Sequence, residues 1–156
     1  MHISFVCTGN ICRSPSAALV FAERLRRAGL ADGVRVTSAG TGPWHAGEPI
    51  DERAAGTLAR HGYPVGHVAA QVGDVHLGAD LLLAMDRGHE KALRRLADDP
   101  SRVRLLRSFD PDAAAAGDLE VPDPYYGGPE GFDTMLVMIE AAMPGLLAWV
   151  RERLPA

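Results

Sequence analysis

The stretch that most limits what this chain can become is Cys7-Thr-Gly-Asn-Ile-Cys-Arg-Ser14, set between two apolar runs. Ile3-Ser-Phe-Val6 leads into it and Ala17-Ala-Leu-Val-Phe-Ala22 leads out. That is the pattern of a buried strand, a tight loop and a helix start. Five residues separate Cys7 from Arg13, enough for the loop to curl into a ring. In such a ring backbone N–H groups converge on an anion. Gly9 supplies an unusual backbone conformation and Asn10 tolerates a left-handed one. The following helix adds its positive dipole end and unpaired N–H groups. An anion-binding ring favours the thiolate form of Cys7. Arg13 offers a planar fork for two oxygens of a tetrahedral dianion, and Ser14 a hydrogen bond to the sulfur as it leaves. A buried Cys beside a helix-capping Ser accounts for a lone cysteine. It does not account for Cys, Gly, Asn, Arg and Ser together at a strand-to-helix turn. Residues Thr8, Gly9, Asn10, Ile11, Cys12, Arg13 and Ser14 read as a phosphate cradle around a nucleophile, Cys7.

The rest of the composition narrows the class. A chain of 156 residues suits one domain, 1–156, with a substantial core. A formal charge of −4 and no basic cluster argue against nucleic acid as a partner. No apolar run approaches the ~20 residues that span a bilayer, so membrane insertion is not expected. The N-terminus enters the first strand without a charged leader or cleavage site. The only cysteines, Cys7 and Cys12, both lie in the loop rather than in a disulfide framework. A cytoplasmic protein is expected, with signal-less export as the alternative.

Further along, apolar runs alternate with amphipathic ones. Strands are expected at 2–6, 34–38, 79–85 and 103–106, the third wholly apolar as in a buried parallel sheet. Helices are expected at 14–28, 51–61, 87–97 and 132–154. In the first, Glu23, Arg24, Arg26 and Arg27 face water. In the last, Met135, Met138, Ile139, Ala142, Leu146, Trp149 and Val150 share an apolar face, and Pro144 marks a kink or internal turn. Residues 41–49 form a loop carrying Trp44, 63–79 are irregular, and 108–131 form a long connection of the kind that carries function. The fold class is α/β: a single three-layer domain, a mainly parallel four-stranded sheet with helices on both faces. Cys7 then lies at the carboxyl end of the first strand, where such sheets bind ligands.

Val6-Cys-Thr-Gly-Asn-Ile-Cys-Arg-Ser-Pro15 resembles the signature loop of the low-molecular-weight protein tyrosine phosphatases. The resemblance continues in Thr37-Ser-Ala-Gly-Thr41, Trp44-His45, Asp51-Glu-Arg-Ala54, His61-Gly62 and Asp123-Pro-Tyr-Tyr-Gly127, in the family's order. Two positions depart from it. Pro122 replaces an acidic residue, and Ala18 stands where a Glu often follows the loop. The resemblance implies hydrolysis of phosphotyrosine in proteins through a phosphocysteine intermediate. Inhibition by phosphate-like oxyanions follows, with no metal or cofactor and a monomer or weak dimer. It also implies that Asn10, Ser14, Ser38 and His67 brace the loop by hydrogen bonds.

Tyrosinate leaves poorly without a proton, since phenol has a pKa near ~10, so an acid must come from elsewhere. Asp123 is the candidate, because an Asp-Pro in a long loop can hang over the site while Pro124 limits its conformations; Asp110 and Asp112 are weaker alternatives. Ile11, Trp44, Tyr125 and Tyr126 read as the walls of a cleft for a phenyl ring. Cys12, five residues from Cys7, is either packing or a redox partner that captures oxidised Cys7 as a disulfide. Three rival functions use the same loop. An arsenate reductase of the thioredoxin-coupled type needs downstream cysteines that this chain lacks, which leaves one fed by a small-molecule thiol. A phosphoarginine phosphatase has Thr where Ile11 stands. A silent phosphate-binding module lacks one of Cys7, Arg13 and Asp123, all present here.

Overall fold

The computed structural model describes residues 1–155. In chain order the main elements are β1 (His2–Cys7), α1 (Arg13–Arg27), β2 (Arg35–Gly40), α2 (Glu52–Arg60) and α3 (Asp74–Leu77). They continue with β3 (Leu81–Ala84), α4 (Arg87–Leu96), β4 (Val103–Leu105), α5 (Pro111–Ala116) and α6 (Glu130–Arg153). The four strands pair in the order β2-β1-β3-β4, all parallel. The chain steps from β1 to one side for β2, then returns to the other side for β3. That reversal opens a crevice at the carboxyl ends of β1 and β3.

Two apolar layers enclose the sheet because strand side chains alternate in direction. Ile3, Phe5, Leu81 and Leu83 face α1, α2 and α6, packing with Phe21, Leu25, Leu58, Ile139 and Leu146. Val6, Leu82, Ala84 and Val103 face α4, packing with Leu93. Helices on both faces of a parallel sheet were expected, and the structure has them.

The differences from the sequence expectations are local and physical. Strand β2 continues through Ala39 and Gly40 because Gly40 pairs with Cys7 and backs the loop. A Cβ on Gly40 would lie 2.6 Å from the Thr8 carbonyl oxygen, so only glycine lets the chain come this close. Asp51 stands just outside α2 as its cap, accepting from the N–H groups of Arg53 and Ala54. Glu23 is buried rather than facing water, since Arg26 and Arg27 fold back onto its carboxylate. The 108–131 connection is partly ordered by a 3₁₀ turn, Leu106–Phe109, and by α5. Helix α6 is continuous, with no break at Pro144, which lies exposed and costs it one backbone bond, at the Glu140 carbonyl. The helix is long and apolar enough by composition to cross a bilayer. Its Phe132, Met135, Ile139, Met143, Leu146 and Val150 instead pack into the core.

Candidate active site

Cys7 ends β1, and the chain from Thr8 to Cys12 curls before α1 starts at Arg13. The loop's carbonyls are tied outward. Those of Cys7 and Thr8 accept from the N–H groups of Thr41 (2.8 Å) and Gly42 (3.2 Å). That of Ile11 accepts from Asp51 (2.9 Å) and that of Cys12 from Ser16 (3.2 Å). The Asn10 carbonyl accepts from His67 Nε2 at 2.7 Å. In a trans peptide the C=O and the next N–H point in opposite directions. The N–H groups of Thr8, Gly9, Ile11, Cys12 and Arg13 are thereby turned inward. Tethering from outside leaves a ring of inward donors, the arrangement in which backbone amides hold an anion.

Asn10 pins the curl. It is the one non-glycine residue with positive φ, at 58°, among the described residues. That conformation costs an L-residue about 1–2 kcal/mol. Its buried side chain offsets this with three hydrogen bonds of about 1 kcal/mol each. Nδ2 donates to Ser14 Oγ (2.8 Å) and Ser38 Oγ (3.0 Å), and Oδ1 accepts from the Ala70 N–H (2.9 Å). Gly9 does not take positive φ; a Cβ there would stand 2.8 Å from the His45 ring, which would have to move. Ser14 does not cap α1. Its hydroxyl lies 2.9 Å from Cys7 Sγ, within reach of the sulfur. His67 donates to a carbonyl, so its proton is on Nε2. Burial pushes its pKa down, which the Asn10 carbonyl partly reverses.

Arg13 is 4% exposed. Its Nη1 donates to Asp86 Oδ2 at 2.9 Å and to the Val121 carbonyl at 3.0 Å. Asp86, just beyond β3, is held below the usual carboxylate range. Burial opposes this, but the His89 backbone N–H and the neighbouring His89 and Arg13 outweigh it. Asp123 Oδ2 lies 3.7 Å from Arg13 Nη2, and Asp123 Oδ1 accepts from the Tyr125 N–H at 3.0 Å. Asp110 and Asp112 sit at the start of α5, where Asp110 is the cap, and neither lines the cavity.

The cavity above Cys7 has a volume of about 420 Å³. It brings together Cys7, Thr8, Gly9, Ile11, Cys12 and Arg13 with Trp44, Asp123, Tyr125 and Tyr126. Trp44 is exposed and lies flat over Gly42, where any Cβ would overlap its ring. Tyr125 and Tyr126 meet edge to face at 4.9 Å. Asn10, Ser14, Ser38 and His67 lie outside the cavity and touch the loop from behind. Four participants were not singled out from sequence. His45 lines the cavity, with Nδ1 2.7 Å from Glu48. Arg53 donates to the Tyr125 carbonyl at 3.1 Å and stacks on the Tyr125 and Phe132 rings. Asp86 and His89 complete the set. His45 and Arg53 carried a signal, since they lie in the Trp44-His45 and Asp51-Glu-Arg-Ala54 pieces of the resemblance; Asp86 and His89 carried none. Among the described residues no cluster of three or more His, Cys, Asp or Glu could hold a metal ion.

The low molecular weight phosphotyrosine protein phosphatase family model matches residues 2–156. Low molecular weight protein-tyrosine phosphatase A of Mycobacterium tuberculosis is 58% identical over 154 residues, covering 99% of this chain and 94% of the relative. A protein tyrosine phosphatase structure from Entamoeba histolytica superposes with TM-score 0.91 at 30% identity, covering 97% of both chains. A Drosophila arginine phosphatase superposes with TM-score 0.87 at 27% identity, covering 97% of this chain and 98% of that one. The ring of inward amides around a cysteine and an arginine thus sits on a shared scaffold and a shared sequence, and the chain belongs to the low molecular weight phosphotyrosine protein phosphatase family.

Proposed function

We propose that this protein hydrolyses phosphotyrosine in proteins through a phosphocysteine intermediate. One observation carries the reading: an outward-tethered loop surrounds Cys7 beneath a cavity walled by Trp44, Tyr125 and Tyr126. Cys7 is only 3% exposed, so the phosphoryl group must arrive on a long side chain. A flat phenyl ring fits between aromatic walls, with Ile11 as an apolar neighbour.

In the first step Cys7 attacks phosphorus, and the P–O bond to the phenyl oxygen breaks. The inward amides and Arg13 hold the equatorial oxygens, whose charge must be balanced throughout. Asp123 gives its proton to the leaving oxygen. In the second step Asp123 takes a proton from water, which displaces the phosphoryl group from sulfur. Ser14 Oγ donates to the departing thiolate. Asn10, Ser38 and His67 hold the loop in shape for both steps. Inorganic phosphate and vanadate then act as competitive inhibitors.

Peptides carrying phosphotyrosine, phosphoserine or phosphoarginine, and arsenate with a small-molecule thiol, form the test. Phosphotyrosine is expected to dominate turnover. Dominant phosphoarginine hydrolysis or arsenate reduction would overturn the reading.

Replacing Asp123 with Asn is expected to slow phenyl phosphate cleavage by roughly 10²–10⁴-fold, the span of a lost general acid. In single-turnover cleavage the loss shrinks for acidic leaving groups, which need no proton. A loss of equal size across the leaving-group series would mean that Asp123 only shapes the lid.

Cys12 is buried, and burial first, then the negative charges of Asp51, Cys7 and Asp123, push its thiol up to about 12. It stays protonated while peroxide oxidises Cys7 to the sulfenic acid. Cys12 sulfur then bonds to Cys7 sulfur with loss of water, and dithiothreitol reduces the disulfide. After peroxide, wild type should recover with dithiothreitol and Cys12→Ser should recover less. Equal recovery, with no Cys7–Cys12 bond by mass spectrometry, would make Cys12 packing only.

A further inference from the structure

Arg13 and Asp86 are joined by a second route besides their own ion pair. Arg13 Nη2 donates to Thr8 Oγ1 at 3.4 Å, and Thr8 Oγ1 lies 2.8 Å from His89 Nε2. His89, in the first turn of α4, closes the circuit on Asp86 Oδ1 with its backbone N–H at 3.0 Å and its ring Nδ1 at 3.2 Å. Thr8 and Arg13 line the cavity, while Asp86 and His89 stand outside it.

The position of one proton decides what this circuit does. His89 Nδ1 is buried and has no well-aligned hydrogen-bond partner, although a carboxylate oxygen is 3.2 Å away. A bare lone pair there would face negative charge, whereas an N–H there is attracted even at a poor angle. Burial keeps the ring neutral, its pKa pushed down to about 4, against the upward pull of Asp86, Asp123 and Glu120 and with help from Arg13. The single ring proton therefore sits on Nδ1, and Nε2 accepts. Thr8 must then spend its hydroxyl hydrogen on His89, which leaves its lone pairs for Arg13.

We propose that His89 is a positioning residue: by accepting the Thr8 hydroxyl hydrogen it turns the Thr8 oxygen toward Arg13 and fixes the rotation of that guanidinium. Among the described residues three of the five Arg13 N–H bonds have protein acceptors, on Asp86, Val121 and Thr8. Nε–H and one Nη2–H are left for the phosphoryl oxygens. Nη2 owes its fixed acceptor to His89. Without the imidazole the Thr8 hydroxyl swings free, and the fork loses its alignment.

The inference rests on Arg13 gripping a phosphoryl group, and its test reads binding of inorganic phosphate as well as turnover. Phosphate binding does not require phosphotyrosine to be the substrate, so the two readings fail separately. His89→Leu is expected to weaken phosphate inhibition about 10-fold and to lower kcat/KM about 10–100-fold, the scale of a small misplacement in a reacting site. His89→Gln, whose amide oxygen can accept from Thr8, should recover most of this. Thr8→Val should lose a similar amount, and the Thr8→Val, His89→Leu pair should be no worse than Thr8→Val alone. Imidazole ¹⁵N shifts should show His89 protonated at Nδ1. Unchanged phosphate binding in a folded His89→Leu protein, additive losses in the pair, or a proton on Nε2 would overturn the proposal. Should His89→Leu fail to fold, Thr8→Val decides alone, and unchanged phosphate binding in it is the overturning result.

Discussion

Cys7→Ser is expected to abolish phosphotyrosine turnover, by roughly 10⁵-fold or more, the scale on which enzymes lose a covalent nucleophile, while leaving anion binding in place. The asymmetry follows from how the cradle is built. The inward amides are held by carbonyl tethers to Thr41, Gly42, Asp51, Ser16 and His67, none of which involves the Cys7 side chain. Serine is nearly the same size, so the end of β1 keeps its pairing with Gly40 and Ala84's neighbourhood is undisturbed. A hydroxyl, however, is a far weaker nucleophile than a thiol, and Ser14 Oγ, 2.9 Å from Cys7 Sγ, has the proposed role of donating to sulfur as it leaves. Turnover, phosphate or vanadate binding and melting temperature should be measured on the same preparation. Substantial hydrolysis by a clean sample of this variant would sink the nucleophile assignment.

Arg13→Lys is expected to lower kcat/KM by about 10³–10⁵-fold, the range seen where an arginine stabilises phosphoryl-transfer charge. Lysine keeps the charge and loses the geometry. Arg13 does two things at once. In the proposed reaction it offers free N–H groups to the phosphoryl oxygens, and in the structure it ties Asp86, Thr8 and the Val121 carbonyl together. Val121 lies two residues before Asp123, so this arginine also anchors the segment that carries the proposed general acid. One ammonium cannot span these partners and the substrate together. Vanadate binding should weaken in parallel with turnover, separating this variant from Cys7→Ser. Normal turnover with lysine would show that Arg13 is structural only.

The α/β class, the strand-loop-helix unit and the identity of the loop are legible in the residues alone. Each is a local matter: Ile3 to Val6 is apolar, Asn10 accepts a left-handed backbone, and α1 begins at once. Adjacent residues carry such information because backbone conformation and side-chain period are short-range properties. How distant groups come to meet the loop is a matter of folding. Ser38 reaches Asn10 across 28 residues, His67 across 57, and His89 reaches Thr8 across 81. Family resemblance implies Ser38 and His67 there but does not reach His89, and no period or spacing encodes any of these meetings. They follow from β1 lying between β2 and β3, which delivers the chain ends after both neighbours to the same crevice. The burial of Glu23 is of the same kind: an amphipathic pattern gives a polar face but cannot tell where Arg26 and Arg27 will cover it. Gly9 was readable as necessary, but the reason was not. Local chemistry suggests backbone freedom, whereas in the folded chain a side chain there would crowd the ring of His45, 36 residues away in sequence.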